Sequence, residues 1–505
     1  MGNIIIGKHV LESLTTGMYA DPFVVFREYI QNAADSIDEA VADGIISQEN
    51  SKIEVIISPN ERRITIKDNG TGIGRGEAER TLISVGNSKK SQSASRGFRG
   101  IGRLAALSYC GKLIFETSFI GEKNSTRITI DAKKLSERLS LQEREDVSAE
   151  EVLEGVYSVE YFQEHEREHY LNVIMESIDP ESELNDHHKI HEYLIQNIPV
   201  TYDAEKFTWG NEIKRRLKNE GYLIQEYNIY LTYAGKTTAI YKPYTDGFSI
   251  DKKGNVTDKI KDIQIVKLLN AEGDFSAFGW IATTNYLGSI YDKNIKGIRI
   301  RKGNILIGDN QTLNVCFKDA RFNGWAIGEI FIVDSQLVPN ARRDNFEKNA
   351  AYFLLIEQIK SLAANLVKDI RSASIARNNE LAKVINKSQE VKEEITEALE
   401  SDVLLPSKKG VLRKRLESTK AALDLFSSDD DLDIYNKKIA FDEIDMLIGK
   451  LQGATAYKAL NALQNVSKAE KKTLEKVFNT IVSIRPEDAE EIIDSILKVF
   501  AANKK

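Results

Sequence analysis

Cysteine is almost missing from this chain. Cys110 and Cys316 are the only two in 505 residues, so no disulfide framework can form and a reducing compartment is expected. Proline is scarce as well, with eight in all and none between Pro339 and Pro406 or between Pro406 and Pro486. Those stretches can carry long helices uninterrupted. No apolar run approaches the roughly 20 residues that span a bilayer, and no secretory leader is read, so a cytoplasmic protein with no membrane partner is expected. Basic charge is not in excess either: 69 Lys and Arg against 76 Asp and Glu leave a net charge of −7. A domain coated in positive charge is excluded, although a local basic groove is not. No repeat of fixed period is present. What is there is 42% hydrophobic and 29% charged, enough to form large cores, and the length suggests two to four domains.

The patterning is α+β. Short β-branched runs at 52–57, 63–67, 113–117 and 126–130 alternate as strands do, and further runs at 227–233, 297–301, 304–307 and 326–333 suggest a second mixed unit. From about Phe353 onward Leu, Ile, Lys, Glu and Ala dominate, and Ile359, Leu362, Leu366 and Ile370 step by three and four, the period of one helix face. The expected organisation is an α/β unit over 1–205, a mixed α/β middle unit over 206–349 and a helical region over 350–505.

Three constellations near the N-terminus carry chemistry. After Asp21-Pro22, a plausible N-cap and first turn, a helix is expected with Phe26, Ile30, Ala33, Ile37 and Val41 on one face. Glu28, Asn32, Asp35 and Glu39 lie opposite. An ordinary solvated face would mix lysines among the acids for i,i+4 support, and this stripe has none. A carboxylate one turn before a carboxamide can deprotonate water while the amide oxygen serves Mg²⁺. Next, Asp68 ends a strand and leads into Asn69-Gly70-Thr71-Gly72-Ile73-Gly74. These glycines exceed what a hairpin needs, and Asp68 could accept a hydrogen bond from the exocyclic amine of adenine; an Asn-Gly turn is the plainer alternative. Finally, Gly97-Phe98-Arg99-Gly100-Ile101-Gly102 opens an apolar segment read as a helix, whose free N–H groups would face an anion. Polar residues 84–95 between the two loops, with Ser88, Lys89 and Lys90, would suit a lid over phosphates.

Competing motifs fit less well. Gly2–Lys8 lacks the P-loop's Ser/Thr and its preceding strand. Gly100-x-Gly102-x-x-Ala105, with Glu116 as a ribose contact, lacks the buried strand of a dinucleotide fingerprint. His165-Glu166-Arg167-Glu168-His169 spells HExxH, but its flanks alternate like a hairpin rather than forming the helix that zinc ligation needs. His187, His188 and His191 read as surface residues.

In order, REYIQNAADS, DNGTGIG and GFRGIG resemble the N, G1 and G2 boxes of the GHKL ATPases, which include gyrase, HtpG, histidine kinases and MutL. The resemblance implies a Bergerat α/β sandwich over 1–205 that holds ATP. On it, Glu28 would be the general base and Asn32 the Mg²⁺ ligand. Asp68 would bind the adenine amine beside Gly70, Gly72 and Ile73, and Asp35 would line the same site. Gly97, Gly100, Ile101 and Gly102 would cradle phosphates beneath a lid bearing Ser88 and Lys90. Further on, GEIFIVDS and LVPNARRDNF resemble the middle segment of HtpG-type proteins, which would make Arg343 the arginine reaching the γ-phosphate and put Arg342 at a serine position. The usual adenine-side threonine is not identifiable; Thr126 and Thr129 are candidates.

The function this implies is an Mg²⁺-dependent ATPase acting as a homodimeric clamp on a protein client or partner. The alternative is a clamp on nucleic acid, in DNA repair or defence, like MutL or the MORC ATPases. The S-x-K run at 88–90 and the basic clusters Arg299/Arg301/Lys302 and 413–415 would favour it.

Overall fold

The computed structural model describes residues 21–83, 102–140, 152–426, 431–464 and 466–502. The chain divides into two compact units, residues 1–285 with 289–367, and residues 286–288 with 368–505.

The first unit contains two large sheets. Strands β1 (Ile53–Ser58), β2 (Arg63–Asp68), β3 (Lys112–Ser118), β4 (Asn124–Asp131), β5 (Tyr157–Gln163), β6 (Tyr170–Glu176), β7 (Ile229–Tyr233) and β8 (Lys236–Ala239) form an eight-stranded sheet ordered β5-β4-β3-β6-β2-β1-β7-β8. Every neighbour is antiparallel except β1 and β7, which run parallel with Ile53 opposite Ile229. Burial alternates along β1 and β4, so one face of the sheet supplies Ile53, Val55, Ile57, Ile128 and Ile130 to the core. Helices cover that face: α1 (Val24–Ala42), α2 (Arg75–Ile83), α3 (Ala132–Ser140) and α4 (His187–Asn197). From α1 come Phe26, Ile30, Ala33 and Ile37, the face expected from the sequence.

Several expectations change. Residues 229–239, placed by sequence in the middle unit, are the last two strands of the first sheet, because β7 pairs with β1. Helix α1 begins at Val24 with Phe23 at its N-cap; Asp21 stands one turn-step earlier and accepts the Phe23 N–H through Oδ1 at 2.9 Å. The segment after the glycine run is a 3₁₀ turn, Gly102–Ser108, not an α-helix. The flanks of His165–His169 are strands, but β4 and β3 lie between β5 and β6 in the sheet, so the connection is not a hairpin. Among the described residues no cluster of three or more His, Cys, Asp or Glu is arranged as a metal site.

The second sheet comprises β11 (Asp262–Leu269), β12 (Phe275–Thr283), β13 (Gly297–Lys302), β14 (Ile305–Ile307) and β15 (Ile327–Ile332), in the order β11-β12-β15-β13-β14; β9 (Gly247–Ser249) and β10 (Thr257–Lys259) pair separately. Helix α5 (Trp209–Asn219) packs Ile213 and Leu217 with Trp280 and Phe331. Inside this core Lys242 and Arg301 both pair with Glu329, Lys242 Nζ at 2.7 Å, and all three side chains are fully buried. Burial would raise the Glu329 carboxyl, but Arg301 and Lys242 overcome it and hold it down at about 2. The basic cluster read as a nucleic-acid contact is thus internal. Arg299 and Arg301 are buried, Arg299 donating to Gln196 Oε1 and to backbone carbonyls of 293–297.

Helix α6 (Ala350–Glu400) begins in the first unit. Its residues 350–377 are, by length and composition alone, long and apolar enough to cross a membrane, which corrects the reading that no such run exists. Within it Tyr352, Leu355, Ile359, Ala363, Leu366 and Ile370 are buried at steps of three and four, the period of one helix face, while Phe353 and Ile375 are exposed.

The second unit is helical: the rest of α6, then α7 (Pro406–Asp424), α8 (Asp431–Gly453), α9 (Lys458–Ala462), α10 (Lys468–Ile484) and α11 (Ala489–Ala502). Pro406 occupies the first turn of α7, and a Ser467/Glu470 capping box starts α10. Leu381, Ile395, Leu416, Ile444 and Leu451 form one core, and Tyr457, Phe478, Ile493 and Leu497 a second. Of the basic run at 413–415, Arg413 pairs with Glu417 at 2.9 Å and Arg415 with Glu394.

Candidate functional site

The polar stripe of α1 is not a solvated face. Glu28 and Asp35 are buried at 8% and 7% exposure and Asn32 is half-buried, while Glu39 is exposed. Hydrophilic groups placed inside at this density need partners or a ligand, since unpaired burial of charge is costly.

A cavity of about 390 Å³ opens between α1, α2 and the sheet, within the size range of small-molecule sites. Asn32, Ser36, Thr71, Gly72, Ile73 and Arg103 are among its walls, and Phe115, Leu171 and Val173 form an apolar floor from β3 and β6. An aromatic and aliphatic floor beside a few polar groups suits a flat heterocycle.

Behind that wall the loop after β2 is fixed by close approach. The Asp68 carboxylate, buried at the strand end, accepts the Gly70 N–H at 2.8 Å. A Cβ on Gly70 would lie 2.2 Å from Ser36 Oγ, so only glycine lets the loop touch α1. Gly72 adopts φ +68°, and a Cβ there would lie 1.9 Å from Ser118 O. The Ile73 N–H donates to Thr117 Oγ1 at 2.7 Å, and Thr71 Oγ1 lies 3.3 Å from Ser36 Oγ. His169 Nδ1 is 2.8 Å from Gly70 O; a carbonyl only accepts, so Nδ1 carries the proton. One histidine of the HExxH run therefore braces this loop. Glu116, the ribose contact of the dinucleotide alternative, is instead paired on the sheet with Arg127 Nε at 2.7 Å.

Glu28 meets residues from far along the chain. Arg27 donates to Glu28 Oε1 from Nε at 3.3 Å and Nη2 at 3.2 Å, and Arg343 Nε lies 3.5 Å from the same oxygen. Arg27 Nη2 also donates to the Arg342 carbonyl at 3.3 Å. The other Glu28 oxygen, Oε2, packs on Gly102, where a Cβ would lie at 2.2 Å. Arg343 is presented from a residue with φ +58°, its carbonyl accepting the Gly308 N–H at 2.8 Å. Lys302 Nζ braces the same segment by donating to Asp334 O at 2.9 Å and Leu337 O at 2.7 Å. Burial pulls the Lys302 ammonium from 10.5 down to about 8, with Asp334 opposing.

The structure thus brings Asn32, Gly72 and Ile73 to one cavity, with Asp68 and Gly70 buried in the loop that shapes it. It joins Glu28, Gly102 and Arg343 in a second cluster, and Asp35 is buried on the same helix. Ser88, Lys90, Gly97, Gly100 and Ile101 lie outside the described residues, as does Gly2–Lys8. Sequence reading missed Tyr29, Ser36, Thr117 and Arg103, residue types too common to signal a site without their neighbours. Neither Thr126 nor Thr129 lines the cavity, whereas Thr71 does, and Thr117 on β3 accepts the Ile73 N–H of the same loop.

Residues 20–160 match the family described as histidine kinase-, DNA gyrase B- and HSP90-like ATPases. The chaperone protein HtpG of Halalkalibacterium halodurans is 27% identical over 133 residues, 23% of this chain and 21% of the relative. That of Paraburkholderia xenovorans is 28% identical over 166 residues, 30% of this chain and 24% of the relative. That of Acinetobacter baylyi is 32% identical over 85 residues, 16% and 13% respectively. The similarity thus spans a quarter or less of these relatives' own length.

Proposed function

We propose that this chain, whose N-terminal region is a GHKL-type ATPase domain with distant similarity to HtpG, binds Mg·ATP at the α1 cavity and hydrolyses it, working as a dimeric clamp on a protein client. The observation that carries the reading is the burial of the α1 acid–amide stripe around a cavity, with Glu28 in contact with Arg343. Adenine would lie on the Phe115/Leu171/Val173 floor with its amine toward Asp68. Asn32 would supply an oxygen to Mg²⁺. Because Mg²⁺ takes few protein ligands beside substrate phosphates, a lone carboxamide fits it better than an acidic cage would. Glu28 would accept the proton of the attacking water, and Arg343 would stabilise charge on the γ-phosphoryl group. Transfer of Arg343 from Glu28 Oε1 to that group would leave Arg27 as the carboxylate's remaining cation and make it a stronger base toward water.

A protein client is preferred to nucleic acid because Arg299 and Arg301 are internal and the exposed Arg413 and Arg415 are paired with acids. The name of the HtpG relatives points the same way. The test is steady-state ATPase activity beside calorimetric ATP binding for wild type and Glu28→Ala. Turnover should fall by roughly 10²- to 10⁴-fold with binding retained. Equal turnover in the two proteins would remove Glu28 from the chemistry.

A further inference from the structure

We infer that Arg103 is a phosphate-binding residue of this nucleotide site, an inference that rests on the nucleotide reading above and adds a cation to it. Arg103 follows Gly102 in the 3₁₀ turn and lines the cavity together with Asn32, Ser36 and Gly72. Its backbone cannot swing. The Tyr29 hydroxyl on α1 donates to the Arg103 carbonyl at 3.0 Å and accepts the Ala106 N–H at 3.2 Å, and Leu104, Ala105 and Ala106 are buried behind it. Arg103 is therefore held at the cavity wall by a turn anchored in the core.

That guanidinium is incompletely satisfied. Among the described residues its Nη1 is buried with no hydrogen-bond partner, and no carboxylate pairs with it. Burial also draws its pKa below the usual arginine value. A partly buried cation without an anion is unfavourable, and a cavity ligand that supplies one offsets the cost. Arginine's planar fork matches a phosphate with two parallel hydrogen bonds. Position selects the phosphate chain over the base: Arg103 is one residue from Gly102, which packs on the Glu28 carboxylate, so it stands at the hydrolytic end of the site.

The experiment is calorimetric titration of the full chain with ATP, ADP and adenosine, in Mg²⁺ and again in EDTA, for wild type, Arg103→Met and Arg103→Lys. Arg103→Met should weaken ATP and ADP by about 10- to 100-fold, the range of a charge-assisted hydrogen bond, and leave adenosine within about twofold. The loss should persist in EDTA, because the contact does not pass through the metal. Arg103→Lys should recover part of it. Adenosine affinity doubles as the check that the variant is folded. Equal weakening of ATP and adenosine would mean that the guanidinium stacks on the base or holds the fold, and would overturn the assignment. ATP and adenosine affinities both equal to wild type would also overturn it while leaving the nucleotide reading intact. Failure of wild type to bind any of the three would overturn both.

Discussion

At Gly72 two independent constraints meet: a left-handed backbone and a carbonyl, Ser118 O, 1.9 Å from where a Cβ would sit. Gly72→Ala must therefore strain the backbone and push β3 away from the loop. A stability loss of about 1–3 kcal/mol is expected, together with weakened ATP binding. Denaturant midpoints and calorimetry on the same preparation check both, and a variant as stable as wild type would show that the loop has room to relax. Residues of this kind were legible in the sequence. Gly70, Gly72 and Asp68 stood out because three glycines after a strand-ending acid exceed the needs of a turn, and Glu28 and Asn32 because their stripe carried no lysine. Tyr29, Ser36, Thr117 and Arg103 were not legible. Their roles arise from contacts across tens of residues, such as the Tyr29 hydroxyl against Arg103, and nothing in their local pattern announces them. The same blindness ran the other way at Arg299 and Arg301, where a run of cations reads as a surface patch until the strand's burial is known.

Among elements, the segment from β15 to α6 shows how a loop can be held as firmly as a strand. Lys302 ties Asp334 and Leu337, the Gly308 N–H ties Arg343, and Pro339 bridges to Phe346. Lys302→Met should loosen the presentation of Arg343, lowering kcat with little change in ATP affinity. It should also alter the dependence of stability on pH. The Lys302 amine has a value of about 8 in the folded chain against an ordinary 10.5. Between those limits the unfolded chain binds the extra proton, so wild-type stability relative to Lys302→Met should rise with pH from 8 to about 10.5 and stay level below 8. Unfolding free energies of both proteins across pH 7–10 test this; a difference that is flat throughout would mean that the amine is not depressed. Element types were largely legible from β-branched runs and three-to-four spacing. The 3₁₀ turn after Gly102 was not. Leu, Ala, Ala and Leu favour α-helix locally, but the Tyr29 hydroxyl on α1 takes the Ala106 N–H and the Arg103 carbonyl, a tertiary contact that local sequence does not show.

In the whole molecule, the division at 205 suggested by composition does not match the way the first sheet closes. Strands β7 and β8 lie beyond that point, yet β7 occupies the edge of β1. A fragment ending at 205 should therefore be much less stable than one ending after Ala239 and prone to associate through β1, which thermal melts and light scattering would reveal; equal melting temperatures would mean that β7 is dispensable. Hydrophobic runs marked 227–233 as a strand, but nothing in them says which sheet it joins, because pairing partners are set by tertiary packing rather than by local sequence. The pairing of Ile53 with Ile229 also bears on how the protein is made. At a synthesis rate of about 5–20 residues per second, the partner of β1 is translated on the order of 10–30 s after β1 itself. Throughout that interval the nascent sheet carries an open edge, so the domain proposed to serve a chaperone-like machine would itself be a natural client for one.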